Sequence, residues 1–174
     1  MVWFFFGILC CVVALVIIAC FKMVSLNKAV KETYQQLDIA SKNRAGVIDE
    51  LIKAVKPVPE MDEHVLTALE ELKKTPEDWE ARVEREDQIT RKLKAIFTVL
   101  RDHPEMQLDT AFEKLQKNVI QLEKNYRKSK NAYNDAVHSF YIFGDIIPFN
   151  LVRAAAEMPS PSYFSAKNGL SSAE

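Results

Sequence analysis

Between Val2 and Phe21 the chain carries no charged side chain, and the first one reached is Lys22. The run VWFFFGILCCVVALVIIACF is about twenty residues, which at about 1.5 Å of helical rise each covers roughly the 30 Å hydrocarbon thickness of a bilayer. A soluble helix buries one apolar stripe and keeps a polar face, and this run has no polar face. Downstream of Lys22 the sequence becomes polar, so the expected arrangement is one N-terminal transmembrane helix holding a soluble domain at a membrane surface. The boundaries read as an anchor over residues 1–22, a helical bundle over 23–158 and an irregular or disordered tail over 159–174.

Three accounts of the apolar run compete. A cleaved secretory signal has a basic stretch ahead of a shorter apolar core, and no Lys or Arg precedes Trp3. A lipoprotein signal would use Ile17, Ile18, Ala19 and Cys20 as a loose lipobox, with Cys20 acylated and becoming the new N-terminus; the missing basic stretch counts against this too. The favoured account is a retained transmembrane helix in which Cys10, Cys11 and Cys20 serve as small apolar residues. These are the chain's 3 cysteines, so none is placed to staple the soluble part. Beyond the run, Lys22, Lys28, Lys31, Lys42 and Arg44 are opposed by Glu32 and Asp38 alone, while the other flank offers only the amino terminus. Positive charge is retained on the cytoplasmic side, so the soluble domain is expected in the cytoplasm, with Trp3 to Phe6 at the outer interface.

Lys and Arg total 23 against 24 Asp and Glu, a net charge of −1 that gives no field for nucleic acid or another polyanion. With 4 glycines in 174 residues, and a soluble part rich in Ala, Leu, Glu, Lys, Gln and Arg, the class is all-α. The first soluble helix is continuous with the anchor. Val30, Tyr34, Leu37, Ser41, Ala45, Ile48, Ile52 and Val55 form its inner face, Lys31, Glu32, Asp38, Lys42, Arg44, Asp49, Glu50 and Lys53 its solvated one, and Pro57 and Pro59 end it. A short amphipathic stretch carries Met61, Val65, Leu69 and Leu72. Thr75 as N-cap, Pro76 at the first helical position and the acids Glu77 and Asp78 start the next helix, with Trp79, Val83, Ile89, Leu93, Ile96, Phe97 and Leu100 as its apolar stripe before Pro104. The strongest stripe runs Leu108, Phe112, Leu115, Val119, Leu122, Tyr126, Ser129, Tyr133, Ala136, Phe140, and Gly144 and Pro148 interrupt it ahead of a short helix over 149–157. Long helices joined by short turns predict an antiparallel up-and-down bundle, with a dimeric coiled coil as the alternative.

The order of these residues resembles the LemA family. The first hallmark stretch is NKAVKETYQQLDIASKNRAGVIDELIKAVK, with Asn27, Val30, Tyr34, Leu37, Asp38, Arg44, Ile48, Leu51, Val55 and Lys56 at corresponding places. The second is carried by Pro104, Glu105, Phe112, Leu115, Gln116, Leu122, Glu123, Tyr133 and Asn134, and Pro148, Asn150, Tyr163 and Phe164 match near the end. Departures are Tyr34 in place of the usual Trp, Asp49 in place of Pro, Lys130 in place of Arg and Gly144 in place of an aliphatic residue. The resemblance implies a membrane-attached antiparallel helical bundle of bacterial type, with no established biochemical activity, that partners other membrane or envelope proteins, including membrane metalloproteases.

No residue pattern announces chemistry. His64, His103 and His138 lie far apart and outside any metal spacing. Glu60, Asp62, Glu63, Glu70 and Glu71 read as solvated helix faces, and a helical di-metal motif fails because Glu63, not a histidine, follows Glu60 at the required step. Tyr126, Tyr133, Phe140, Tyr141 and Phe143 read as core packing with phenols turned to a polar rim. Asn134, beside the apolar stripe, is expected to bond across helices to Asp38 or Arg44. The expectation is therefore a non-enzymatic interaction or scaffold module with no metal, cofactor or small-molecule substrate, and with the membrane and other membrane or envelope proteins as partners. The alternative is an envelope lipoprotein acylated at Cys20, its bundle outside the cytoplasm.

Overall fold

The computed structural model describes residues 2–56, 63–71, 78–101 and 110–164. Within these ranges the fold is all-α: α1 (Val2–Val55), α2 (Glu63–Glu71), α3 (Trp79–Arg101), α4 (Thr110–Gly144) and α5 (Phe149–Ala155), with no strand. Pro57, Pro59, Pro104, the Thr75 to Glu77 helix start, Met61, Leu72, Leu108 and residues 165–174 fall outside the described residues. So do Glu60, Asp62 and His103, and the side chains of His64, Val65 and Leu100.

The 54 residues of α1 contain no proline, and at about 1.5 Å per residue they extend about 80 Å. Along the helix the exposed apolar surface gives way to a buried seam. Met23, Val30, Leu37, Arg44 and Leu51 recur every seventh residue, with Ala19, Ala40 and Val47 on the neighbouring line. The same spacing organises α4, where Phe112, Val119, Tyr126, Tyr133 and Phe140 are buried. A sevenfold repeat keeps one seam of each helix turned toward its partner. As residue numbers rise along α1 the facing numbers on α4 fall, from Lys22 beside Phe143 to Tyr34 beside Tyr133, so the two helices run antiparallel.

The chain divides into two compact units. One comprises residues 1–36 and 129–163, built from the first part of α1, the last part of α4, α5 and the segment after it. That segment has no regular structure, yet it is held in place. Tyr133 Oη donates to the Ser162 carbonyl at 2.8 Å, Tyr141 Oη donates to the Pro161 carbonyl at 2.8 Å, and Arg153 Nη2 donates to Ser160 Oγ at 2.6 Å. The phenols satisfy carbonyls that no helix claims.

The second unit comprises residues 37–128 and 164–174. Its core joins Val47, Ile48 and Leu51 of α1, Leu69 of α2, Ile89, Leu93 and Ile96 of α3, and Phe112 and Val119 of α4. Helix α3 begins at Trp79, and Asp78 caps it: its Oδ2 accepts the Ala81 N–H at 3.0 Å. Phe164 is buried and meets the Trp79 ring edge-on, with centroids 5.3 Å apart.

Candidate functional site

Inside the second unit lies a cluster of polar side chains at positions where the helix stripes call for apolar ones. Arg44 takes its turn in the seam of Met23, Val30, Leu37 and Leu51, and is 1% exposed. Glu86 fills the gap between Val83 and Ile89 in the α3 stripe and is 0% exposed. The sequence assigned Arg44 to the solvated face of α1; the structure corrects this, because carboxylates from two other helices meet it inside the bundle.

Each helix supplies residues one turn apart, which places them on a single face. From α3, the Glu86 Oε2 accepts Arg44 Nη1 at 3.1 Å, while Oε1 accepts Ser41 Oγ at 2.5 Å and Arg85 Nη1 at 3.1 Å. Arg44 Nη2 donates to the Glu86 carbonyl at 3.0 Å and to Thr90 Oγ1 at 2.6 Å. From α4, Glu123 Oε1 forms an ion pair with Arg44 Nε, and Glu123 Oε2 accepts Thr90 Oγ1 at 3.3 Å. The Arg44 guanidinium also lies over the Tyr126 ring, 4.2 Å from its centroid. Two cations, Arg44 and Arg85, thus meet two anions, Glu86 and Glu123.

Burial shapes the protonation of this cluster. It pushes the Tyr126 phenol well above its ordinary value, reinforced by the Glu86 carboxylate, and it lowers the Arg85 guanidinium against the opposing pull of Glu86. The Tyr126 hydroxyl has no hydrogen-bond partner among the described residues, so this phenol does not reach the polar rim expected for it. At the outer edge, Asp38 pairs with Lys42 at 2.7 Å and with Arg82. The Lys42 ammonium, helped by Arg82, holds the Asp38 carboxyl below the usual carboxylate range.

Beside the cluster a groove of about 320 Å³ opens between α3 and α4. Leu93, Phe97 and Val119 line it together with Thr90 and Glu123, and Lys94, Gln116 and Arg127 add longer polar side chains.

Of the other sequence-selected residues, Asn134 sits half-buried in the first unit. Cys10, Cys11 and Cys20 are exposed on α1 with free thiols. His138 is exposed, its Nδ1 3.3 Å from Tyr163 Oη. On α2, Glu70 and Glu71 are exposed, and Glu71 pairs with Lys92 at 3.2 Å. Among the described residues no three His, Cys, Asp or Glu side chains converge as metal ligands would. Sequence reasoning overlooked Glu86 and Thr90, and the available signal was the interruption at position 86 of an otherwise regular stripe.

In comparison with known proteins, residues 33–173 match the profile of the LemA family. No curated protein matches the chain.

Proposed function

The chain belongs to the LemA family, and from that premise we propose that it is a single-pass membrane protein whose helical bundle is a non-enzymatic interaction module on the cytoplasmic face of a bacterial membrane. The observation that carries the reading is α1 itself. It is long and apolar enough to cross a bilayer, its most apolar window reaches a mean hydropathy of 3.1, and 6% of that window is buried inside the protein. An apolar surface left this open needs a solvent other than water. The excess of basic residues after Phe21 supports the cytoplasmic orientation.

The buried cluster supports a scaffold in preference to a reactive centre. Its charges are spent on one another and tie three helices into register, which is the best-attested use of polar groups in a helical seam. Co-purification of the full chain from cross-linked native membranes tests the reading. A reproducible membrane-protein partner, lost when the groove between α3 and α4 is altered by Ile120→Glu at an exposed residue of its lining, is the expected result; recovery of the chain alone would count against an interaction module. Mass spectrometry of the mature N-terminus separates the second reading, since a diacylglyceryl-modified Cys20 at the N-terminus would establish the lipoprotein.

A further inference from the structure

In the first unit, the end of α4 and the start of α5 bring a second apolar surface to the level at which α1 becomes polar. Lys22 Nζ lies over the Phe143 ring, 5.0 Å from its centroid, and a Cβ placed on Gly144 would stand 3.9 Å from Met23 Cε. From Tyr133 to Phe143, α4 descends toward the N-terminus of α1, which brings its end to the level of Lys22 and Met23, the first residues after the apolar run. Ala19 is 1% exposed there, while its neighbours Ile17, Ile18 and Phe21 are open.

The corner has the residues of a surface that meets lipid. Ile142, Ile146, Ile147 and Leu151 are all exposed, Ile147 to 75%. It is a braced feature, since the Phe149 ring packs against Phe143 at 5.9 Å and Arg153 lies 5.3 Å from the centroids of Phe140 and Tyr141. Arg153 also meets Asp145 at 3.5 Å, which leaves the acidic side chain compensated. Apolar side chains fringed by Lys22 and Arg153 match the boundary between acyl chains and anionic headgroups.

We propose that the α4–α5 corner is a second membrane contact, with Ile146, Ile147 and Leu151 entering the interfacial layer of the leaflet through which α1 emerges. The proposal rests on α1 spanning the bilayer. What assigns lipid to the patch is its level: Phe143 and Gly144, between Ile142 and Ile146, lie against Lys22 and Met23, the residues that directly follow the open apolar surface of α1 ending at Phe21. The anchor and the corner would then hold the first unit to the membrane at two points.

The test uses the full chain in a Cys10→Ala, Cys11→Ala, Cys20→Ala background, carrying a single environment-sensitive fluorophore at Ile147→Cys. It is reconstituted at about one copy per vesicle in phosphatidylethanolamine and phosphatidylglycerol. Leu15→Cys reports on the span, Asn131→Cys on an exposed site farther back along α4 in the same unit, and Leu151→Cys repeats the measurement should labelling at Ile147 disturb the corner. The proposal expects deep nitroxide lipids to quench the Leu15 label, and shallow ones to quench the Ile147 label several-fold more than the Asn131 label. Quenching at Leu15 with an Ile147 label open to aqueous iodide overturns the proposal and leaves the span standing. An Ile147 label shielded from both quenchers means that protein covers the patch, and equal quenching at Asn131 means general adsorption; either overturns it. A Leu15 label untouched by lipid quenchers removes the span, and this inference with it.

Discussion

Replacing Arg44 with leucine would deprive Glu86, which is 0% exposed, and the largely buried Glu123 of the cation they share, while filling the seam position with an apolar side chain. Removing one member of a buried, hydrogen-bonded ion pair costs about 3–5 kcal/mol, because the stranded charge keeps its desolvation penalty and loses its compensation. Arg44 serves two carboxylates, a carbonyl and Thr90, and it stacks on Tyr126, so the upper part of that range applies. In a chain of this size about 1 kcal/mol moves the midpoint by roughly 2–4 °C, so the Arg44→Leu protein should melt roughly 8–20 °C lower. The assay is thermal unfolding of the full chain in detergent, followed by helicity and by the emission of Trp79, which packs on Phe164 within the same unit. The quadruple variant Arg44→Leu, Arg85→Leu, Glu86→Leu, Glu123→Leu separates charge from packing. With both cations and both anions of the cluster removed together it should recover much of the loss, as apolar replacements of buried ion clusters do. An Arg44→Leu midpoint within about 2 °C of the parent would defeat this view of the cluster, since so small a shift leaves it under about 1 kcal/mol in all.

Tyr126→Phe keeps the ring beneath Arg44 and removes a buried hydroxyl without a partner, so stability should hold or rise by up to about 1 kcal/mol in the same melt. Asp38 is held below its ordinary range by Lys42 and Arg82, so its contribution is present at neutral pH and fades as pH falls from about 4 through its lowered value. Urea midpoints of the parent and of Asp38→Asn should therefore differ at pH 7 and converge on acidification, and a gap that widens in acid would reverse the sign. Phe164→Ala should lose about 3–5 kcal/mol and shift Trp79 emission to the red; an unchanged spectrum would detach Phe164 from the core.

Most of the helices were legible because three- and four-residue spacing is a local signal. The stripe expected over 108–140 is close to the observed α4, and its Phe112, Val119, Tyr126, Tyr133 and Phe140 are buried, together with Val137, which the stripe passed over for Ala136. Arg44 was misplaced for a physical reason. Amphipathic reasoning assigns every guanidinium to water, and the groups that reverse this for Arg44 lie on other helices, at Glu86 and Glu123. The clue was positional, because Arg44 keeps the sevenfold step from Leu37 to Leu51 and Glu86 bridges Val83 and Ile89. Two polar residues in apolar registers on separate helices suggest each other as partners. The segment over 159–164 shows the complementary limit. Its composition gives no sign of what holds it, because its partners are Tyr133 and Tyr141, far back on α4.

A membrane-anchored bundle that faces the cytoplasm makes a sharp demand on side-chain accessibility in cells. With Asn131→Cys, an exposed site on α4 outside the α3–α4 groove, as the sole cysteine of the full chain, a membrane-impermeant maleimide should fail to label intact bacteria, even with the outer layer permeabilised. The same site should label once the inner membrane is opened, and the protein should stay in the membrane pellet through alkaline carbonate. Labelling of Asn131→Cys before the inner membrane is breached, or release of the chain by carbonate, would contradict a cytoplasm-facing, membrane-anchored bundle.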